Sequence, residues 1–122
     1  MTIRPSTALP LVALAFAAAG AHAQDAAAGG MAFQQCAECH SPGGTDNAGP
    51  GLKGVFGRKA GAKDGFAYSP AMKKSTVVWD DKTLDAFLKD PRGVVPGTSM
   101  AYGGDDDAKE RADLVAYLRT LK

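Results

Sequence analysis

The run Cys36-Ala37-Glu38-Cys39-His40 places two thiols three residues apart, with an imidazole directly behind the second. Each thiol can add across one vinyl group of a haem, and the adjacent histidine can reach the iron from the same side. This is the spacing of covalent haem c attachment. Thioether anchoring keeps the cofactor in place even in a small chain whose core could barely enclose it. A bare Cys-x-x-Cys would leave a dithiol redox site or a structural disulfide open. The strand-helix context of a thioredoxin-like dithiol is missing. A disulfide across two intervening residues closes a tiny loop and constrains little of the unfolded chain.

The remaining inventory narrows the chemistry. The chain has two cysteines and two histidines, and His22 lies in a segment expected to be removed. His40 is then the one histidine of the mature chain, so one haem is the limit and a second histidine cannot fill its other axial position. Structural zinc wants four protein ligands, and type 1 copper takes two histidines with a cysteine. Neither set can be assembled.

The amino terminus reads as an export signal. Arg4 gives a positive start, Leu9 to Ala21 is almost wholly apolar, and Ala21-His22-Ala23 supplies a small-x-small cleavage pattern. The apolar run falls short of the roughly 20 residues of a membrane span. Residues 1–23 are therefore expected to be a cleavable secretory signal, and residues 24–122 a single domain in the periplasm. Without Arg4, the 14 Lys plus Arg fall level with the 13 Asp plus Glu. The signs are unevenly spread: Lys53, Arg58, Lys59, Lys63, Lys73, Lys74, Lys82, Lys89 and Arg92 occupy the middle, and Asp105, Asp106 and Asp107 cluster near the end. Such asymmetry can orient a molecule towards a partner. Nucleic-acid binding would need a larger basic excess.

The elements that must position the motif are helical. A first helix is expected from near Asp25, whose carboxylate can cap free amides, through Gly29, Gly30 and Phe33 to the Cys36 region. The paired glycines weaken it unless another helix approaches closely there. Ser41 to Gly65 is glycine-rich loop, and Leu52, Val55 and Phe56 can cover an apolar cofactor edge. Asp80 or Asp81 can cap a helix that carries Leu84, Phe87 and Leu88 on one face, with Pro91 ending it. The last helix is expected to start among Asp105 to Asp107. Leu114, Val115, Leu118 and Leu121 form its buried stripe, and Lys109, Glu110 and Arg119 stay wet. Nothing argues for a sheet.

The second axial ligand must come from a segment far from His40. Met31 sits on the helix tied to the His40 side and is poorly placed. Met72 and Met100 are the candidates. Met100 is favoured because Pro96-Gly97-Thr98-Ser99 can fix a non-repetitive loop ahead of it, whereas Met72 suits the role of core filler.

At Val94-Val95-Pro96-Gly97-Thr98-Ser99-Met100 the chain closely resembles the class I cytochrome c family, best in its cytochrome c2 and mitochondrial cytochrome c branch. Gly49-Pro50-Gly51-Leu52, Gly57-Arg58-Lys59-Ala60-Gly61, Gly65-Phe66-Ala67-Tyr68-Ser69 and Ala112 to Leu118 extend the resemblance over nearly all of residues 24–122. It implies a small all-α cytochrome c fold, with helices and long loops wrapped around one covalently attached haem c. It implies cofactor binding by Cys36, Cys39, His40, Pro50, Arg58, Tyr68, Trp79 and Met100, with His40 and Met100 on the iron. The Pro50 carbonyl would accept the imidazole hydrogen bond, and Arg58, Tyr68 and Trp79 would help hold a haem propionate.

Two departures fall in the distal pocket: Phe87 stands where many relatives have tyrosine, and Met72 where mitochondrial relatives commonly have asparagine. Gln35 and Ser99 replace partner-facing lysines, so the eukaryotic partners do not transfer. The implied function is a monomeric electron carrier, not an enzyme. It would dock transiently with membrane or periplasmic redox proteins, without nucleic acid and without stable membrane insertion. A small peroxidase or gas-binding protein would need an open iron position, and a scaffold role would need no electron exchange.

Overall fold

The computed structural model describes residues 24–122; the expected leader, residues 1–23, lies outside the described residues. The first helical stretch forms as two pieces, α1 (Ala26–Ala32) and α2 (Gln34–Ala37). The Asp25 carboxylate caps α1 by accepting from the Ala27 and Ala28 amides. Phe33, still in helical conformation, links the two pieces and donates its amide to the Gly29 carbonyl at 2.8 Å. Gly29 has the purpose anticipated for the glycine pair. Gly29 is buried where α1 crosses the last helix, and the Phe33 and Tyr117 rings pack beside it, tilted by 45° with centroids 5.1 Å apart.

Residues 41–69 contain no helix, and glycines with positive φ, Gly54, Gly57, Gly61 and Gly65, make their turns. This long loop is held by backbone ties to other segments. Gly57 donates to the Trp79 carbonyl at 2.6 Å, Trp79 to Arg58 at 2.9 Å, and Ala60 to Val77 at 2.8 Å. Lys59 and Val78 form an isolated antiparallel bridge. There is no strand among the described residues, and the all-α expectation holds.

Two short helices were not anticipated. In α3 (Pro70–Lys74) Pro70 occupies the first turn, where its missing N–H costs nothing, and Ser69 Oγ accepts from the Met72 amide. The expected helix at Leu84 is α4 (Asp81–Lys89). Asp80 caps it in a reciprocal box with Thr83, and Leu84, Phe87 and Leu88 are buried as their spacing requires. Pro91 stops α4, but it also opens α5 (Pro91–Val94), with the Asp90 carboxylate accepting from the Gly93 amide.

The last helix, α6 (Ala108–Arg119), is capped by Asp107. Leu114, Val115 and Leu118 are buried, while Leu121 lies past its end and is half-buried. Arg111 and Asp113 are also buried on α6, against the simple apolar-stripe expectation. Each is paired: Arg111 Nε meets Asp85 Oδ1 at 2.8 Å and Nη1 donates to the Asp105 carbonyl at 2.9 Å. Asp113 takes Lys109 Nζ at 2.6 Å and the Asp25 amide at 2.9 Å. Burial of a charge is tolerable where partners replace water.

Candidate functional site

Side chains of α2, the long loop, α3, α4, the segment after α5, and α6 surround one mainly apolar cavity of about 270 Å³. Cys36, Cys39, His40, Pro50, Arg58, Tyr68, Trp79 and Met100 all line it. Eight residues spread over 65 positions of sequence thus converge on one space. Val55, Leu84, Phe87, Leu88, Leu114 and Leu118 supply its greasy walls. Five of these belong to the two helical stripes, so the faces that hold the fold together also face the cavity.

The proximal wall is built by α2. Cys36 and Cys39 are free thiols, Cys36 half-buried and Cys39 exposed. Burial pushes the Cys36 thiol above its ordinary pKa, and the negative charges of Glu110 and Cys39 add to the effect. That is the reverse of the lowered thiol pKa of a dithiol oxidoreductase. His40 Nδ1 lies 2.8 Å from the Pro50 carbonyl oxygen. Because Pro50 offers only an acceptor, Nδ1 carries the hydrogen, and the neutral form of the ring presents its lone pair at Nε2. Gly49 lies so close beneath the imidazole that a β-carbon there would stand 2.6 Å from Nδ1 and 2.8 Å from Nε2. Its role as a seat for the ring was missed in the sequence.

Met72 and Met100 both line the cavity, whereas Met31 is 78% exposed on α1 and does not. The Met100 loop is fixed by buried Thr98, whose Oγ1 accepts from the Met100 amide at 3.3 Å and whose own amide donates to Val95 at 3.0 Å. Gly97, at φ +88°, makes the turn that precedes them. Thr98 was not singled out in the sequence beyond its place in the Pro96 to Ser99 loop. No spacing rule marks a single hydroxyl of this kind.

The polar edge is more self-contained than expected. Arg58 donates to the carbonyls of Lys53 at 3.2 Å and Gly51 at 3.3 Å, and the Tyr68 hydroxyl accepts from the Lys63 amide at 3.2 Å. The Trp79 ring packs edge-on against Phe87 with centroids 4.9 Å apart. Both Arg58 and Tyr68 retain hydrogens with which to meet an anionic group in the cavity.

Among the described residues no cluster of three or more His, Cys, Asp or Glu could hold a bare metal ion. The donors present suit a metal that arrives inside an organic ring. They are one imidazole with a free Nε2, a thioether sulfur from Met100 or Met72, two thiols for vinyl addition, apolar walls, and Arg58 and Tyr68 at a polar rim. Haem fits this set.

The family model described as Cytochrome c matches residues 26–122. Cytochrome c2 from Blastochloris viridis is 43% identical over 111 residues, spanning 89% of this chain and 87% of its own. Cytochrome c from Tetrahymena pyriformis is 50% identical over 98 residues, spanning 80% of this chain and 89% of its own. Among solved structures, cytochrome cH from Methylobacterium extorquens superposes with a TM-score of 0.76 at 48% identity, covering 79% of this chain and 98% of its own.

Proposed function

Because the chain belongs to the class I cytochrome c family, in its cytochrome c2-like branch, we propose that this electron carrier works as an exported shuttle with a single haem c on Cys36 and Cys39. His40 and Met100 would hold its iron. The protein is a cytochrome of the electron-carrying kind and not an enzyme. Bound in the cavity, haem supplies an iron that accepts and returns one electron.

The chain's own residues define how that electron is handled. His40 presents Nε2 because Pro50 holds Nδ1–H. Met100 presents a weak sulfur donor from a loop pinned by Thr98, and His/Met ligation raises the potential relative to stronger donor sets. Two side-chain donors on the iron would leave oxygen and peroxide no place to bind it. Phe87, Leu88, Leu114 and Leu118 keep water from the interior. The exposed Cys39 edge lets larger membrane or periplasmic redox proteins come near in brief docking. Residues 1–23 direct the chain to the periplasm and are then removed, releasing the monomer.

The observation that carries this reading is the convergence of all eight residues on one cavity with His40 Nδ1 already bonded to Pro50. The test is absorption spectroscopy of the matured protein and two variants. Met100→Ala opens an axial position, abolishes the weak red band of sulfur-to-iron charge transfer and lowers the potential; Met72→Ala keeps that band. The converse result moves the sulfur ligand to Met72. Mass analysis of secreted material, expected to begin at Gln24 and to carry one haem, tests export.

A further inference from the structure

The peptide unit joining Pro50 to Gly51 is gripped at both ends. Its carbonyl faces His40 Nδ1 at 2.8 Å, and its N–H donates to Asp46 Oδ1 at 2.8 Å. The same Asp46 oxygen is 2.7 Å from Lys63 Nζ. Neither group is open surface, with 18% of the Lys63 side chain and 28% of the Asp46 side chain exposed. Lys63 in turn gives its backbone N–H to the hydroxyl of Tyr68, on the cavity wall. The two ends of Lys63 thus tie different groups, its amide the Tyr68 hydroxyl and its ammonium the Asp46 carboxylate behind the imidazole.

We propose that Asp46 is a positioning and tuning residue for His40: its carboxylate holds and polarises the Pro50–Gly51 peptide, which makes the Pro50 carbonyl a stronger acceptor for the imidazole hydrogen. This rests on His40 being the iron ligand. Two physical arguments support it. A hydrogen bond to an ionised acceptor is stronger than a neutral one, and bonds in series through one amide reinforce each other. The Lys63 ammonium, followed by the Gly51 amide, holds the Asp46 carboxyl below its ordinary pKa, with a smaller contribution from Arg58, so it is charged at neutral pH.

The geometry leaves this peptide little else to lean on. Its neighbours are tied by backbone bonds, with Gly49 donating to Cys39 at 2.9 Å and Leu52 to Ser41 at 2.8 Å. Asp46 is the partner of the Gly51 amide. A β-carbon on Gly51 would stand 2.6 Å from the Gly43 carbonyl oxygen, so the segment is packed into one position.

A stronger acceptor behind His40 increases the imidazole's donation to iron and favours the oxidised state. The experiment compares haem-loaded parent, Asp46→Asn and Asp46→Ala by redox titration. It also follows the His40 Nδ1–H proton by NMR in the reduced state. The potential rises in both variants, less in Asp46→Asn, which keeps an acceptor oxygen but loses the charge. The Nδ1–H resonance moves upfield in the same order. Unchanged potentials and resonance alongside a lowered unfolding midpoint make Asp46 a loop tie only and overturn the inference, as does a falling potential. If Asp46→Ala does not retain haem, Asp46→Asn alone decides. A parent protein without a low-spin spectrum instead overturns the His40 site itself.

Discussion

Gly29 of α1 packs directly onto the backbone of Asp113 in α6, leaving no room for a methyl group between the helices. A β-carbon on Gly29 would collide with the Asp113 carbonyl and stand 2.8 Å from Tyr117 Cβ. Neither obstacle is the free end of a flexible chain. Gly29→Ala gains up to about 1 kcal/mol of helix propensity but forces the helices apart, for which overpacking costs about 1–3 kcal/mol. The net expectation is a lower denaturant midpoint. Gly30→Ala is the control, because its β-carbon would meet only the edge of the Tyr117 ring at 3.3 Å, and it should be near neutral.

Gly49→Ala acts on the site rather than the scaffold. A methyl beneath the His40 ring drives the imidazole away from the Pro50 carbonyl. The haem-loaded variant is expected to lose low-spin character, read from its ferric absorption spectrum, and to lose about 1–3 kcal/mol of stability.

Helix α4 depends on its cap. Asp80 Oδ1 accepts the Thr83 amide at 2.8 Å, and Thr83 Oγ1 accepts the Asp80 amide at 2.9 Å. Asp80→Ala should cost about 1 kcal/mol. The loss should appear in thermal unfolding, with the haem spectrum of the folded protein unchanged.

Acid stability divides by sign. Hydrogen bonds from Lys109 and the Asp25 amide hold Asp113 below the ordinary carboxylate range. Lys63 does the same for Asp46, and the Thr83 amide for Asp80. For each, the stabilisation is present above the unfolded pKa near 4 and disappears as pH falls through the lower folded value. Glu110 runs the other way. The Asp105 carboxyl beside it raises its pKa, so its contribution is present below the unfolded value and is lost as pH climbs through the folded one. Asp105 Oδ2 is buried without a partner, and a carboxamide at position 110 could donate to it. Glu110→Gln is therefore expected to stabilise the protein by about 0.5 kcal/mol at pH 7 and to make no difference near pH 3. Urea midpoints at the two pH values measure this.

The sequence was readable wherever the signal is local. Asp25, Asp80 and the Asp105 to Asp107 run each announce a helix start through a carboxylate beside an apolar period, and the structure caps helices at Asp25, Asp80 and Asp107. Cys36, Cys39 and His40 stood out as a short motif of scarce types, whereas Pro50, Arg58, Tyr68 and Trp79 came only with the family resemblance; all seven line the cavity with Met100. What escaped is set by tertiary partners. The five residues of α3 hold no full hydrophobic period, although Ser69-Pro70 is a start signal in retrospect. Nothing in the sequence marks Arg111 and Asp113 for burial until Asp85, the Asp105 carbonyl and the Asp25 amide are seen beside them. The Asp46 to Lys63 pairing joins two loop positions that no periodicity relates.

The amide of Gly54, in the loop that forms one wall of the cavity, donates to the carbonyl of Leu121 at 2.6 Å. A wall without helices of its own is thus moored to the closing turn of the chain. Fraying at that turn and loosening of the wall belong to one local unfolding event. Hydrogen exchange at Gly54 should accelerate when Leu121 and Lys122 are deleted, and a fusion joined too tightly to that end would disturb a region more than 60 positions earlier in the sequence.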